Sequence, residues 1–331
     1  MGSSNLCRLQ SLFFYIISMI GGHTSDSSIL PTNDQRRYTM TLRAVGLLSP
    51  GDMGHVVGRV LISHGMPVLT CLEGRSERTR MLARKVGIKA VPNYEDLVRE
   101  TDVILSILVP GEAENAARTV TRALRGAGES IVYVDCNAIS PATSRKIEEI
   151  ITGAGSKYVD ASIIGPPPRR EGTTRFYASG PDVEAFEALA DFGLDVRRLG
   201  SEIGLGKGIK MAYGALTKGL TAISTQLLIA AWRMGLFDAL VALFEDKQSE
   251  QYRRMRRAVP SMPHRSRRWV SEMEEISRTF EALGMTPQIY QGIAELYRFV
   301  GSTSLADETA ETMDPNRSLR QVIELLGDNQ A

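Results

Sequence analysis

An α/β half followed by an all-helical half, with one long helix running between them, is the fold class this sequence predicts. Three observations carry it. Between positions 42 and 200, short apolar runs alternate with helical patterns, as in a mostly parallel sheet covered on both faces. From Gly204 to Gly235 the chain runs without proline and is rich in Ala, Leu, Ile and Met. Beyond that stretch no strand pattern or repeat appears. At 331 residues the chain has room for two domains, about 150 residues each being the usual size. A net charge of +1 gives no global attraction to nucleic acid or an anionic membrane.

The first residues read differently from the rest. Leu12–Ile20 (LFFYIISMI) is apolar but far too short to span a bilayer. With Arg8 before it, the run resembles a signal-peptide core, yet Met19–Gly22 makes a poor cleavage site. Met1-Gly2 begins a myristoylation pattern whose Ser/Thr position holds Leu6. Met40 stands immediately before the first strand-like run. Residues 1–39 are therefore expected to be a disordered or targeting extension, 40–200 a nucleotide-binding domain, and 201–331 an all-helical domain for substrate and dimerisation. Cys7, Cys71 and Cys136 lie far apart and form no metal or disulfide pattern, which fits a reducing compartment. The expectation is a cytoplasmic protein with no stable membrane insertion, no metal and no nucleic-acid partner, targeting being left open by the apolar run.

Leu42–Leu48 is followed by Ser49-Pro50-Gly51-Asp52-Met53-Gly54 and then by helical spacing through Val56, Val57, Val60 and Leu61. Strand, tight turn and helix entry in that order describe a Rossmann-type dinucleotide-binding unit. Gly51 lets the backbone approach a pyrophosphate. Gly54 opens the helix whose N-terminal amides attract that anion. The first glycine of G-x-G-x-x-G is Ser49 here, so the motif alone also fits a plain structural turn.

Pro67–Leu72 reads as the second strand, ending in Glu73-Gly74-Arg75-Ser76-Glu77-Arg78. NAD-binding units place an acid at this strand end for the ribose hydroxyls. Arg75, Ser76 and Arg78 suit a 2′-phosphate instead, so NADP (NADPH) is expected over NAD, with Glu73 as the counter-evidence. Further strands are expected at Asp102–Val109, Ile131–Asp135, Tyr158–Ile164, Phe176–Ser179 and around Val196. Ligands of such a sheet lie at the strands' carboxyl ends, where Val109, Pro110, Asn137 and Gly165 fall.

In the long helix, Lys207 and Lys210 sit three residues apart and share a face. Two snorkelling lysines on a core helix would be the plain reading. Arg253, Arg254, Arg256, Arg257, Arg265, Arg267 and Arg268 make a basic stretch followed by Glu272, Glu274 and Glu275. A salt-bridged helix face is expected there, and an anionic substrate group is the sharper option. Val241–Ala258 carries one helical spacing. Thr286-Pro287 reads as an N-cap with proline at the first helical position.

Taken in order, these segments resemble the 6-phosphogluconate dehydrogenase-like, or β-hydroxyacid dehydrogenase, superfamily, from about Arg43 to about Gly284. VGLLSPGDMG (Val45–Gly54) is similar to its first motif, and DCNAISPATS (Asp135–Ser144) to its turn beside the nicotinamide. VDASIIG (Val159–Gly165) resembles its substrate segment, and the two segments together imply Asn137, Ser162 and Gly165 at substrate. GLGKGIK (Gly204–Lys210) is similar to Gly-x-Gly-x-x-x-Lys and implies that Lys210 is the catalytic lysine. RWVSEMEEI (Arg268–Ile276) resembles the branch with a divergent C-terminal domain. The departures lie at the substrate end. The family's loop serine is Ile164 and its second glycine Pro166. The asparagine four residues after the lysine is Gly214, which leaves room for a bulky substrate, and no later lysine stands near Ser271.

The resemblance thus implies hydride transfer between NADP and a carbonyl or alcohol of a small molecule, hydroxyacid-like or bulkier, by a homodimer pairing through the long helix. Lys210 is the expected acid/base, its pKa lowered by Lys207, by partial desolvation and by the positive end of the helix, with Tyr213 or Thr217 near enough to supply a second hydroxyl. An imine reductase is the rival within enzymes. A cofactor-binding protein without turnover is the rival outside them.

Overall fold

The computed structural model describes residues 42–309 and 311–329, so the expectations for residues 1–39 lie outside the described residues. The first unit is β1 (Val45–Leu47), α1 (Gly54–Ser63), β2 (Val68–Cys71), α2 (Glu77–Val86) and β3 (Lys89–Val91). Then come α3 (Tyr94–Glu100), β4 (Val103–Ser106), a single 3₁₀ turn at Pro110–Glu112, α4 (Ala113–Ala127) and β5 (Val132–Asp135). The sheet is completed by α5 (Pro141–Thr152), β6 (Lys157–Ile164), β7 (Arg175–Ser179), the short α6 (Glu184–Glu187) and β8 (Val196–Gly200).

The strands form one sheet in the order β3-β2-β1-β4-β5-β6-β7-β8. Pairing is parallel from β3 across to β6. β7 runs antiparallel to β6, and β8 is parallel to β7. The chain reverses direction of travel between β1 and β4, which opens a crevice at their carboxyl ends. The near-continuous apolar runs of the sequence follow from burial on both faces. In β5, Val132 and Val134 join a core with Val57 and Leu61 of α1, while Tyr133 between them joins Val120, Ile147 and Tyr158 on the other face.

After β8 the described chain is helical: α7 (Leu205–Arg233), α8 (Phe237–Lys247), α9 (Ser249–Ala258), α10 (Ser266–Ala282), α11 (Gln288–Gly301) and α12 (Leu319–Asp328). Gly204 initiates α7 with φ +109°, a backbone geometry that favours glycine. At 1.5 Å per residue α7 is about 44 Å long. Its inner face (Met211, Ala222, Leu228) packs with Met273 and Ile276 of α10, Tyr297 and Val300 of α11, and Val322 of α12. No helix among the described residues is long and apolar enough to cross a membrane.

Two local expectations are corrected. The helix read over Val241–Ala258 is broken at Gln248, whose φ of −139° leaves the helical region and separates α8 from α9. Pro287, expected at the first helical position, is itself the N-cap of α11. The Thr286 hydroxyl caps no amide and instead donates to the Gln288 side chain. Gly284, with φ +74°, ends α10.

Candidate active site

The glycine turn is built by close packing. A Cβ on Gly54 would stand 2.2 Å from the Ser49 carbonyl oxygen, and one on Gly58 2.7 Å from Ile88 Cδ1. Gly54 lets α1 start directly against the β1 turn, and Gly58 admits the Ile88 side chain against the helix. At Gly51 the result is the opposite. Among the described residues, its chain neighbours aside, nothing but Ser49 Oγ, at 3.9 Å, comes within 4 Å of its Cβ position, so the backbone here faces open space. The His55 ring holds the turn through a 2.6 Å contact between Nδ1 and the Gly51 carbonyl, and burial pushes its pKa down. Ser49 and Pro50 complete the turn, and Met53 packs on the core beneath it.

At the end of β2 the three predicted cofactor residues separate. Ser76 is the N-cap of α2, its hydroxyl accepting from the Thr79 amide. Arg78 donates to Asp52 of the glycine turn at 2.6 Å and to Glu311 at 2.9 Å, and the Asp52 hydrogen bond holds its pKa above the ordinary value. Arg75 is half-buried. One of its terminal nitrogens reaches Tyr94 Oη at 3.4 Å, and its Nε is buried without a partner. A helix N-terminus open at Gly51 suits the pyrophosphate of a dinucleotide.

Asn137, just past β5, is buried. Its Oδ1 accepts from the Leu108 amide at 2.6 Å, and its Nδ2 donates to Ser106 Oγ at 2.9 Å. It therefore pins the β4 turn that presents Val109, 48% exposed, and the buried Pro110. Its side chain acts as a brace for that turn. Ser162 is 1% exposed with a buried, unpartnered hydroxyl, so it lines the interior and not open space. Gly165 turns the chain out of β6, where a Cβ would meet the Thr173 carbonyl at 2.3 Å.

The two lysines of α7 have opposite surroundings. Lys207 is fully buried between two carboxylates. Its Nζ donates to the Asp135 carbonyl at 2.6 Å, to Asp135 Oδ1 at 2.9 Å and to the Ala161 carbonyl at 2.6 Å, and it lies 3.5 Å from Asp160 Oδ1. Burial works to lower its pKa, but Asp135 and Asp160 outweigh it and the net direction is up. Asp160 also accepts from the Gly204 amide at 2.8 Å, so the cluster ties the start of α7 to β5 and β6. Lys210 has no carboxylate bonded to it. Its Nζ donates to the Ile163 carbonyl at 2.6 Å, at the end of β6. Burial, then the charge of Lys218, lower its pKa to about 8. Desolvation and Lys207 both act in the expected direction, but Lys207 contributes least, its charge being answered by Asp135 and Asp160.

Gly214 is also corrected. It is not an opening, because a Cβ there would lie 3.2 Å from Ile276 Cδ1 and 3.6 Å from the Lys218 ammonium. Tyr213 is 53% exposed, and the Thr217 hydroxyl donates to the Tyr213 carbonyl. Among the described residues no hydrogen bond holds either against Lys210. Sequence reasoning missed Lys218 and placed Glu272 and Glu275 only on a salt-bridged helix face. Lys218 continues the Lys210–Gly214 row by one more turn, a spacing visible in the sequence. Its partner Glu272, at 2.7 Å, comes from another helix. Glu275, buried, accepts from the Ser140 amide at 2.7 Å and from the Thr143 hydroxyl, and so fixes α10 against the start of α5. Of the acidic run after the arginines, Glu272 pairs with Arg268, Glu274 with Arg298 and Glu275 with Arg278.

A separate cavity of about 610 Å³ lies between α1 and the β6–β7 loop, lined by Arg59, His64, Arg169 and Arg170 among others. None of the predicted site residues lines it.

Residues 44–192 match the family of the NAD-binding domain of 6-phosphogluconate dehydrogenase, and residues 231–300 match a domain of unknown function. An uncharacterised 28.5 kDa protein of Methanothermus fervidus is 28% identical over 258 residues, which is 77% of this chain and 98% of that protein. A solved conserved protein of unknown function, described as structurally similar to 3-hydroxyacid dehydrogenases, is 31% identical. That match covers 80% of this chain and 100% of the other, with a TM-score of 0.59. The Mycobacterium tuberculosis 3-hydroxyisobutyrate dehydrogenase, solved with L-serine, is similar in fold at 16% identity. Its TM-score is 0.63 over 86% of this chain and 99% of its own.

Proposed function

We propose, for a chain that belongs to the 6-phosphogluconate dehydrogenase-like, or β-hydroxyacid dehydrogenase, superfamily of NAD(P)-dependent oxidoreductases, that NADPH is its cofactor and a small carbonyl compound or the matching alcohol its substrate. One observation carries the reading: Lys210 stands at the carboxyl end of β6 with its amine on the Ile163 carbonyl and a pKa lowered to about 8. A general acid works best when its pKa lies near the operating pH.

The cofactor, when bound, supplies or takes the hydride. The open backbone at Gly51 and the amides at the start of α1 hold its pyrophosphate. The half-buried guanidinium of Arg75, beside Tyr94 at the end of β2, would turn its terminal nitrogens to the 2′-phosphate. Arg78 stands beside it, although Asp52 and Glu311 already hold that guanidinium. Asn137 braces the β4 turn so that Val109 and Pro110 form a firm edge to the crevice. In the reducing direction protonated Lys210 gives its proton to the substrate oxygen as charge develops there. In the oxidising direction the neutral amine takes the hydroxyl proton. A site that releases and recovers a proton near pH 8 can run both ways.

The homodimer belongs to the same proposal. Tyr213, Leu216 and Ile223 of α7 are more than half exposed and lie along one flank of the helix, an apolar stripe suited to a second copy. The experiment that tests the function is a turnover panel of hydroxyacids, ketones and imines with NADPH and NADH. Turnover of a hydroxyacid or ketone with NADPH supports the reading. Turnover confined to imines would replace the C=O chemistry with C=N reduction. Tight NADPH binding with no turnover on any class would mean a cofactor-binding protein.

A further inference from the structure

Lys210, Gly214 and Lys218 are four residues apart in α7 and form a single row along one face. Side chains on a helix lean toward its N-terminus, so Lys218 leans back over the turn that carries Gly214. Its Nζ ends 3.6 Å from the point where a Cβ on residue 214 would be. A longer side chain at 214 would therefore compete with the Lys218 ammonium for one place. Lys218 is also held from every side. Glu272 of α10 accepts from its Nζ at 2.7 Å, the Trp269 ring lies 5.6 Å away, and Tyr297 of α11 donates to the Lys218 carbonyl at 2.7 Å. Its side chain is 12% exposed and that of Glu272 8%.

Burying such a pair is expensive and seldom stabilises a fold better than apolar residues would. Its position beside the Lys210 row gives it another use. We propose that Lys218 is a positioning residue of this active site, admitted over Gly214 and oriented by Glu272, and that it acts on Lys210 by placing a fixed positive charge beside it. The inference rests on the assignment of Lys210 as the acid/base.

The groups facing Lys210 come from three elements. Lys207 and Lys218 lie on α7 itself, Glu272 and Arg268 on α10, and the Ile163 carbonyl on β6. Lys207 is neutralised by Asp135 and Asp160. Glu272 faces Lys218 at 2.7 Å and Arg268 at 3.6 Å, so its charge is shared between two cations. What remains is an excess of positive charge, and after burial Lys218 is its largest source. Removing Lys218 takes away a like charge and frees Glu272, whose charge acts to raise the Lys210 pKa, of its nearest cation. Both changes favour the protonated amine.

The test is the pH dependence of Lys210 labelling by an amine-reactive acetylating reagent, read by mass spectrometry on the full chain without cofactor or substrate. In the parent protein the labelling midpoint is expected at about 8. In Lys218→Met and Lys218→Gln it should rise by about one pH unit, so that labelling at neutral pH falls about tenfold. The glutamine variant keeps a hydrogen-bond partner for Glu272, and so covers the case in which the methionine variant fails to fold. Lys218→Arg should restore the parent midpoint. Gly214→Asn should reproduce the Lys218→Met shift by displacing the ammonium. A midpoint unchanged in folded Lys218→Gln overturns the proposal, because a merely structural Lys218 would leave the Lys210 titration where it was. If Lys210→Met keeps its turnover while the labelling shift is seen, the acid/base assignment fails and the coupling of the two lysines stands.

Discussion

Replacing Lys210 by methionine should weaken catalysis and strengthen the fold together. The catalytic side is lost acid–base chemistry, about 10² to 10⁴ in turnover, with NADPH affinity little changed because no cofactor contact is removed. The stability side follows from the pKa. A lysine whose pKa falls from 10.5 to about 8 on folding costs the native state about 3 kcal/mol below pH 8. Here both states carry the proton, and the folded one disfavours it. Between about pH 8 and 10.5 the unfolded chain binds more protons than the folded chain, so stability rises and the cost disappears. Methionine removes the charge and keeps much of the volume. It gives up the bond to the Ile163 carbonyl, worth about 1 kcal/mol. The expected net gain at pH 7 is about 2 kcal/mol, vanishing near pH 10. Urea denaturation of both proteins at pH 7 and pH 10, beside turnover on the substrate found by the panel, measures both halves. Near-normal turnover would remove Lys210 from the chemistry and make Tyr213 the candidate acid. A variant less stable than the parent at pH 7 would show that Lys210 is not a strained cation.

Arg75→Ala should weaken NADPH by about 10- to 100-fold, as expected for one charge-assisted hydrogen bond, and leave NADH nearly unchanged by calorimetry. Equal losses for both cofactors would contradict a 2′-phosphate contact. Lys207→Met leaves Asp135 and Asp160 buried without a cation and should cost about 3–5 kcal/mol. A melting temperature within a degree of the parent would show that the cluster does not hold α7 in place. Ile223→Glu should convert the expected dimer to a monomer in light scattering at micromolar concentration. A parent protein that is already monomeric there rules out the pairing face.

Sequence reasoning reached the strand-and-helix alternation and the long helix because each rests on local regularities. Buried parallel strands need continuous apolar runs, and Val103–Ser106 and Val132–Asp135 have them. The glycine turn was legible for the same reason, since Gly51 and Gly54 act within a few residues of their own position. The start of α7 at Gly204 was legible through a motif a few residues long.

The environments of the site residues were decided only by the tertiary structure. Lys207 and Lys210 are both lysines on one helix face, yet one is clamped by carboxylates from β5 and β6 and the other meets only a carbonyl. Those carboxylates lie 72 and 47 residues away in the chain. Gly214 read as open space because nothing local fills it, whereas Ile276 from α10 and Lys218 from the next turn close over it. Ser162 and Asn137 read as ligand contacts by their place in motifs, and packing between strands made one an interior hydroxyl and the other a brace. Local pattern fixes where a residue sits along an element. The charge, solvent and partners around it come from segments brought together by folding, and these set the pKa and the room available for chemistry.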